Sequence, residues 1–346
     1  MSYYIDFQKK VNENTGYGFE NYIADGGGKL EMDKGLTCKA ANRILLMTTV
    51  LSIGIQFLMV FLGIRQTPLL LLGTQLSVLL VPLIGAGILQ MDIRRELHLY
   101  PISWRTFIFT FLVIVCAYPT ISLLNLISMF FVDNAVAGIA LDIYENGYVF
   151  SMLVMALLPA IGEELLVRGM IYRSYRKKSP VRALILSALV FGMLHMNLNQ
   201  MPYAVFLGIL MVLMMEACDS IVAPMCMHFF MNGISTTVGY FSSDILRAQA
   251  EAGYHPEALA GSETGMMAGL LSVLTLVIAT LPLAVLIIYA VFRMHHRKIS
   301  EVFKKEGKDS GDERLPEVQE KEHILDIWLI LALLVMVVMI VLNTLA

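Results

Sequence analysis

The chain has 346 residues, 57% of them hydrophobic and 15% charged, with a formal net charge of −3. Soluble domains carry about a quarter charged residues, and nucleic-acid binders carry a basic excess, so neither class is expected. Cys38, Cys116, Cys218 and Cys226 show no CxxC pairing and read as small buried hydrophobes rather than a disulfide framework.

Residues 1–40 are polar and contain the run "ADGGGKLEMDKG", which predicts a flexible cytosolic arm. The first twenty residues lack the apolar core of a cleavable signal peptide, so insertion is expected to begin at an internal span. Nine apolar runs follow: Ile44–Gly63, Leu69–Leu89, Phe107–Phe131, Tyr148–Tyr175, Val181–Met196, Tyr203–Cys218, Ile221–Tyr240, Met266–Phe292 and Ile324–Leu342. Several reach the roughly 20 apolar residues that cross a bilayer as a helix. None alternates as a membrane strand would. The expectation is an all-α, polytopic transmembrane bundle of about nine spans. It divides into the arm over 1–40, N-terminal helices over 44–131, a core over 148–292, a charged cytosolic linker over 293–323 and a last helix over 324–346.

Lys and Arg concentrate before the first span and after the second, fourth and eighth, while the alternate connections are nearly bare. That alternation predicts an N-terminus inside the cell and a multi-pass protein of the cell membrane. The short turn between the sixth and seventh spans is the one connection without the expected bias.

A charge deep in a bilayer costs several kcal/mol, so intramembrane ionisable groups pair or line wet cavities. Three places in the apolar runs carry such groups. The string "LLPAIGEELLVRGM" holds Glu163, Glu164 and Arg168; "LVFGMLHMN" holds His195; "PMCMHFFMNG" holds His228 and Asn232. Glu164 and Arg168 are four apart and share a helical face, so they can pair. Glu163 is rotated by about 100° and points elsewhere. Pro159 frees the carbonyl of Met155, permitting a kink or a water. The basic turn around Ser179 folds the fourth and fifth spans into a hairpin, with Glu163 and His195 each 16 residues from it. On straight α-helices both lie roughly 24 Å from the turn and can face each other.

Such a cluster can hold a water between Glu163 and His195 for general-base attack. His228 and Asn232 offer donors to a developing oxyanion. Glu163, His195 and His228 are also the ligand types of a catalytic zinc site, although no HExxH helix is present to argue zinc from spacing.

The strings "EELLVR", "FGMLH" and "HFFMN" resemble, in order, the EExxxR, FxxxH and HxxxN/D motifs of the CAAX-protease and bacteriocin-processing family. That family comprises multi-spanning intramembrane endopeptidases, among them the type II CAAX prenyl endopeptidases. The resemblance covers roughly residues 148–240. It implies Glu163 as the base, His195 as a holder of the water, His228 and Asn232 as oxyanion support, and Glu164 with Arg168 as a structural pair. It implies a protein or peptide substrate, with lipidated ones among the candidates, and leaves the choice between a metal and a metal-free glutamate mechanism open. The long arm and the extra last span depart from a minimal family core.

Two other classes compete. A transporter or proton relay also places Glu and His in the membrane, but repeated halves with paired broken helices are not found. A non-catalytic immunity factor or scaffold would not need all three motifs. Among the remaining polar residues, Glu216 and Asp219 read as interfacial caps and His295 and His296 as solvated. The methionines read as adaptable packing, and the 242–265 loop as a solvated excursion.

Overall fold

The computed structural model describes residues 22–24, 30–32, 36–132, 134–251, 263–304 and 323–345. Most of the 1–40 arm, part of the 293–323 linker and part of the 242–265 loop lie outside these. Within the arm, strands β1 (Tyr22–Ala24) and β2 (Leu30–Met32) pair antiparallel, Ile23 opposite Glu31.

The rest is helical: α1 (Cys38–Phe61), α2 (Thr67–Ile88), α3 (Ile93–Glu96), α4 (Trp104–Ser128), α5 (Ala135–Tyr144), α6 (Tyr148–Arg176), α7 (Pro180–Leu194), α8 (Met201–Cys218), α9 (Val222–Glu251), α10 (Glu263–Met294), α11 (Ile299–Val302) and α12 (Ile327–Leu345). Local signals set their starts. The Thr37 hydroxyl accepts from Ala40 N at 3.1 Å and the Ser103 hydroxyl from Thr106 N at 3.1 Å, satisfying first-turn donors. Prolines open α2, α7 and α8, where a missing N–H costs nothing.

Among the described residues, seven helices are long and apolar enough to cross a membrane: α1, α2, α4, α6, α8, α10 and the last, α12. The fifth expected span, α7, is apolar but only 15 residues long, about 22 Å of helix. The seventh, α9, is longer and more polar than expected, running to Glu251. The bundle turns large apolar side chains outward, among them Phe57, Phe61, Ile84, Ile278 and Leu334. A helical bundle can do this in lipid, because its backbone polar groups are satisfied within each helix.

The layout around α6 positions the site. α6 packs against α2, α7 and α9, and α8 packs against α7, α4 and α9. A Cβ on Gly162 of α6 would stand 3.1 Å from the Leu79 Cα and N of α2, so α2 and α6 meet backbone to backbone. α6 itself is not uniform α-helix. Leu153–Leu157 and Leu165–Tyr172 are π-helical, flanking the α-helical stretch Leu158–Glu164 that carries both glutamates. A π-turn inserts a residue and changes how the following side chains are aimed.

Candidate active site

Arg168 and Glu164 are fully buried. Arg168 Nη1 donates to Glu164 Oε1 at 2.9 Å, and its Nη2 donates to the Gly208 carbonyl at 3.3 Å. The guanidinium lies over the Phe191 ring at 4.1 Å, a cation–π contact in a dry setting. A pair taken this far from water is stable only when its geometry is good and further hydrogen bonds meet its remaining groups.

His228, on α9, supplies one of those bonds. Its Nδ1 donates to Glu164 Oε1 at 2.9 Å. Glu164 therefore takes a bond from its own helix and another from α9, and ties the two together. His195, the C-cap of α7, donates from Nδ1 to the Phe191 carbonyl at 2.8 Å. A carbonyl can only accept, and so can an ionised carboxylate, so both rings carry their proton on Nδ1. In the neutral ring Nε2 then keeps its lone pair. Phe191 stands edge-on to both rings, 5.2 Å from His195 and 5.5 Å from His228, and so brings the two histidines to one place.

Asn232 follows His228 by one turn of α9. Its Nδ2 donates to the Met155 carbonyl at 3.0 Å. This is the carbonyl that Pro159 deprives of its helical donor, and a side chain from α9 answers it. Asn232 was expected as an oxyanion donor; one of its two amide hydrogens is already engaged in this bond. Glu163 is half-buried, and its Oε2 is buried without a hydrogen-bond partner. No direct bond joins it to either histidine among the described residues. Glu164 Oε2 is likewise buried and unpartnered.

The set Glu163, His195 and His228, expected as alternative zinc ligands, does not gather as one. Among the described residues no three His, Cys, Asp or Glu side chains are placed to hold a metal ion.

Three other polar groups make partners that the sequence did not predict. Glu216, read as an interfacial cap, is buried. It accepts from Tyr172 Oη at 2.8 Å and from Arg176 Nε at 2.6 Å, fastening α8 to the end of α6. Asp219, in the left-handed turn after α8, accepts from His98 at 3.0 Å and Arg173 at 3.1 Å, with Arg297 at 3.4 Å. Burial pushes its carboxyl up, but the His98 hydrogen bond and the two guanidiniums outweigh that and hold it well below the usual range. His295, read as solvated, pairs its Nε2 with the Thr106 hydroxyl at 3.0 Å.

Phe191 is the Phe of the FxxxH string. It stands four residues before His195, which puts the ring and the imidazole on one helical face.

Residues 145–234, from the connection before α6 into α9, match the family model of the type II CAAX prenyl endopeptidase Rce1-like proteins. The match supports the CAAX-protease family for this chain. It spans the segment that holds Glu163, Glu164, Arg168, His195, His228 and Asn232. The match supports a protease of the CAAX type in this segment, which lies in a bundle where seven helices among the described residues are long and apolar enough to cross a membrane. No curated protein matches the chain, and no solved structure does.

Proposed function

We propose that the protein is an intramembrane endopeptidase in which Glu163 activates a water for attack on a peptide carbonyl. The observation that carries this reading is the contrast between two adjacent carboxylates. Both keep a buried Oε2 with no partner, but the other oxygen of Glu164 is held by Arg168 and His228 at 2.9 Å each, whereas among the described residues no hydrogen bond engages Glu163. A carboxylate already bonded to a guanidinium and an imidazole is a poor base; a free one beside them is available to accept a proton.

In the proposed reaction Glu163 and His195 Nε2 hold the water. Its oxygen forms a bond to the carbonyl carbon as Glu163 takes one proton. The oxyanion is met by the second amide hydrogen of Asn232 and, when its ring is protonated, by His228 Nε2–H. Collapse breaks the C–N bond, and Glu163 returns the proton to the leaving amine. Water, peptide and protons balance with no other reactant.

The substrate on this reading has an apolar part. An open groove of about 300 Å³ is lined by Met152 of α6 and by Phe229, Phe230, Gly233, Ile234 and Val238 of α9. Pockets of this size and lining suit an apolar ligand, so a lipidated peptide at the membrane is the favoured substrate class. The test is cleavage of a fluorogenic peptide, with and without a prenyl group, by the purified protein in detergent. Metal content is measured on the same preparation. Cleavage of the lipidated peptide supports the reading; turnover of neither peptide counts against it.

A further inference from the structure

The hairpin of α7 and α8 ends at His195, and its tip sits at the end of a helix too short to span a bilayer alone. Backbone groups that leave a helix at membrane depth must find partners within the protein. Several groups at this tip do so. Met196 is in the left-handed region, with φ of +48°, although it has a side chain. Such a backbone state persists only where its surroundings hold it.

The Met196 carbonyl accepts from Asn343 Nδ2 at 2.9 Å. Asn197 Oδ1 accepts from Asn199 N at 2.8 Å, closing the turn locally. Asn199 is buried, and Ser128 at the end of α4 donates to its carbonyl at 3.0 Å and accepts from its Nδ2 at 2.7 Å. The residue directly after His195 is thus tied to α12, and the residue four after it to α4. Both helices lie outside the segment matched to the family.

α12 is fixed at its other end as well. Asn42 of α1 donates to the Ile324 carbonyl at 3.0 Å and to Asp326 Oδ1 at 2.9 Å, and Tyr175 of α6 bonds Asn42. Arg43 stacks over Trp328 at 4.9 Å. A 19-residue helix, about 28 Å long, is therefore pinned at the α1–α6 end and reaches the His195 turn with Asn343 at the other.

We infer that Asn343 is a positioning residue for His195: through the Met196 carbonyl, the last helix holds the strained turn that aims the imidazole. This rests on the role proposed for His195. Asn343 acts through the backbone and touches no reacting atom. Losing the bond frees the turn after His195, so the water is held less often in the attacking geometry. Substrate binding, which involves α6 and α9, is left alone.

The experiment compares wild type with Asn343→Leu, which removes the donor at similar size, and Asn343→Gln, which keeps an amide. Backbone hydrogen exchange over residues 196–201 is followed in detergent, alongside kcat, KM and melting temperature. Asn343→Leu is expected to speed exchange over 196–201 while leaving α1 unchanged. It is expected to lower kcat roughly fivefold, the effect of one net hydrogen bond, with KM within about twofold. Asn343→Gln is expected to restore much of both. Unchanged exchange in Asn343→Leu overturns the inference whether or not the protein cleaves peptides. Faster exchange with unaltered kcat in an active enzyme overturns the link to His195. Faster exchange in a protein that cleaves nothing upholds the tether and removes the proposed reaction instead.

Discussion

His228 Nδ1 lies 2.9 Å from Glu164 Oε1, on the same oxygen that Arg168 grips. One carboxylate thus joins α6 to α9 and fixes which nitrogen of His228 carries the proton. Glu164→Gln leaves Arg168 without its countercharge in a fully buried site. Removing one partner of a buried pair costs about 3–5 kcal/mol. The expected result is a lower melting temperature and a poorer folded yield, read by thermal unfolding in detergent, with activity falling in step with folded protein.

Arg168 reaches the Gly208 carbonyl only because α8 comes close. A Cβ on Gly208 would stand 3.1 Å from Ala188 Cα and 3.3 Å from Arg168 Nη2. Gly208→Val forces α7 and α8 apart and presses on the guanidinium. Overpacking of this kind costs about 1–3 kcal/mol. Its melting temperature should drop, and the relaxed exchange should centre on α7 and α8 rather than α12.

Asp219 gives the bundle an acid-sensitive fastening outside the spans. Its carboxyl is held below the ordinary value of about 3.9 in the folded state. The stability it lends is therefore present above that ordinary value and is lost as pH falls toward the folded one. Melting temperature measured down through pH 4 should fall less steeply in Asp219→Asn than in wild type. Equal slopes would remove Asp219 from the account.

The basic-loop alternation predicts topology. A reporter fused after Lys178 should read as cytosolic, and one inserted between residues 252 and 262 as external. Asn42 bonds the chain just before α12, and Tyr175, at the end of α6, bonds Asn42, so these ends lie on one side of the bundle. Opposite readings at both points would reverse the orientation.

Much of the bundle was legible because an apolar run in lipid has little choice but to be a helix. The Glu164–Arg168 pair was legible from its four-residue spacing, and so was the carbonyl freed by Pro159. What answers that carbonyl was not, since Asn232 is 77 residues away and only tertiary packing brings it there. The π-turns of α6 leave no periodic trace, so the equal depth expected for Glu163 and His195 assumed a rise per residue that α6 does not keep. His228 was read with Glu163 because both are ionisable groups in apolar runs, yet its Nδ1 is bonded to the adjacent glutamate. Glu216 read as a surface cap because its partners, Tyr172 and Arg176, lie on another helix.

The most direct test of the central claim is specific activity per folded molecule for Glu163→Gln beside Glu164→Gln. Gln at 163 keeps size and hydrogen bonding but cannot take a proton. The account predicts a loss of roughly 10²–10⁴-fold with folded yield and melting temperature unchanged, while the activity left in Glu164→Gln tracks its folded fraction. Full activity in Glu163→Gln, together with a stably folded but inactive Glu164→Gln, would contradict it and move the base to Glu164.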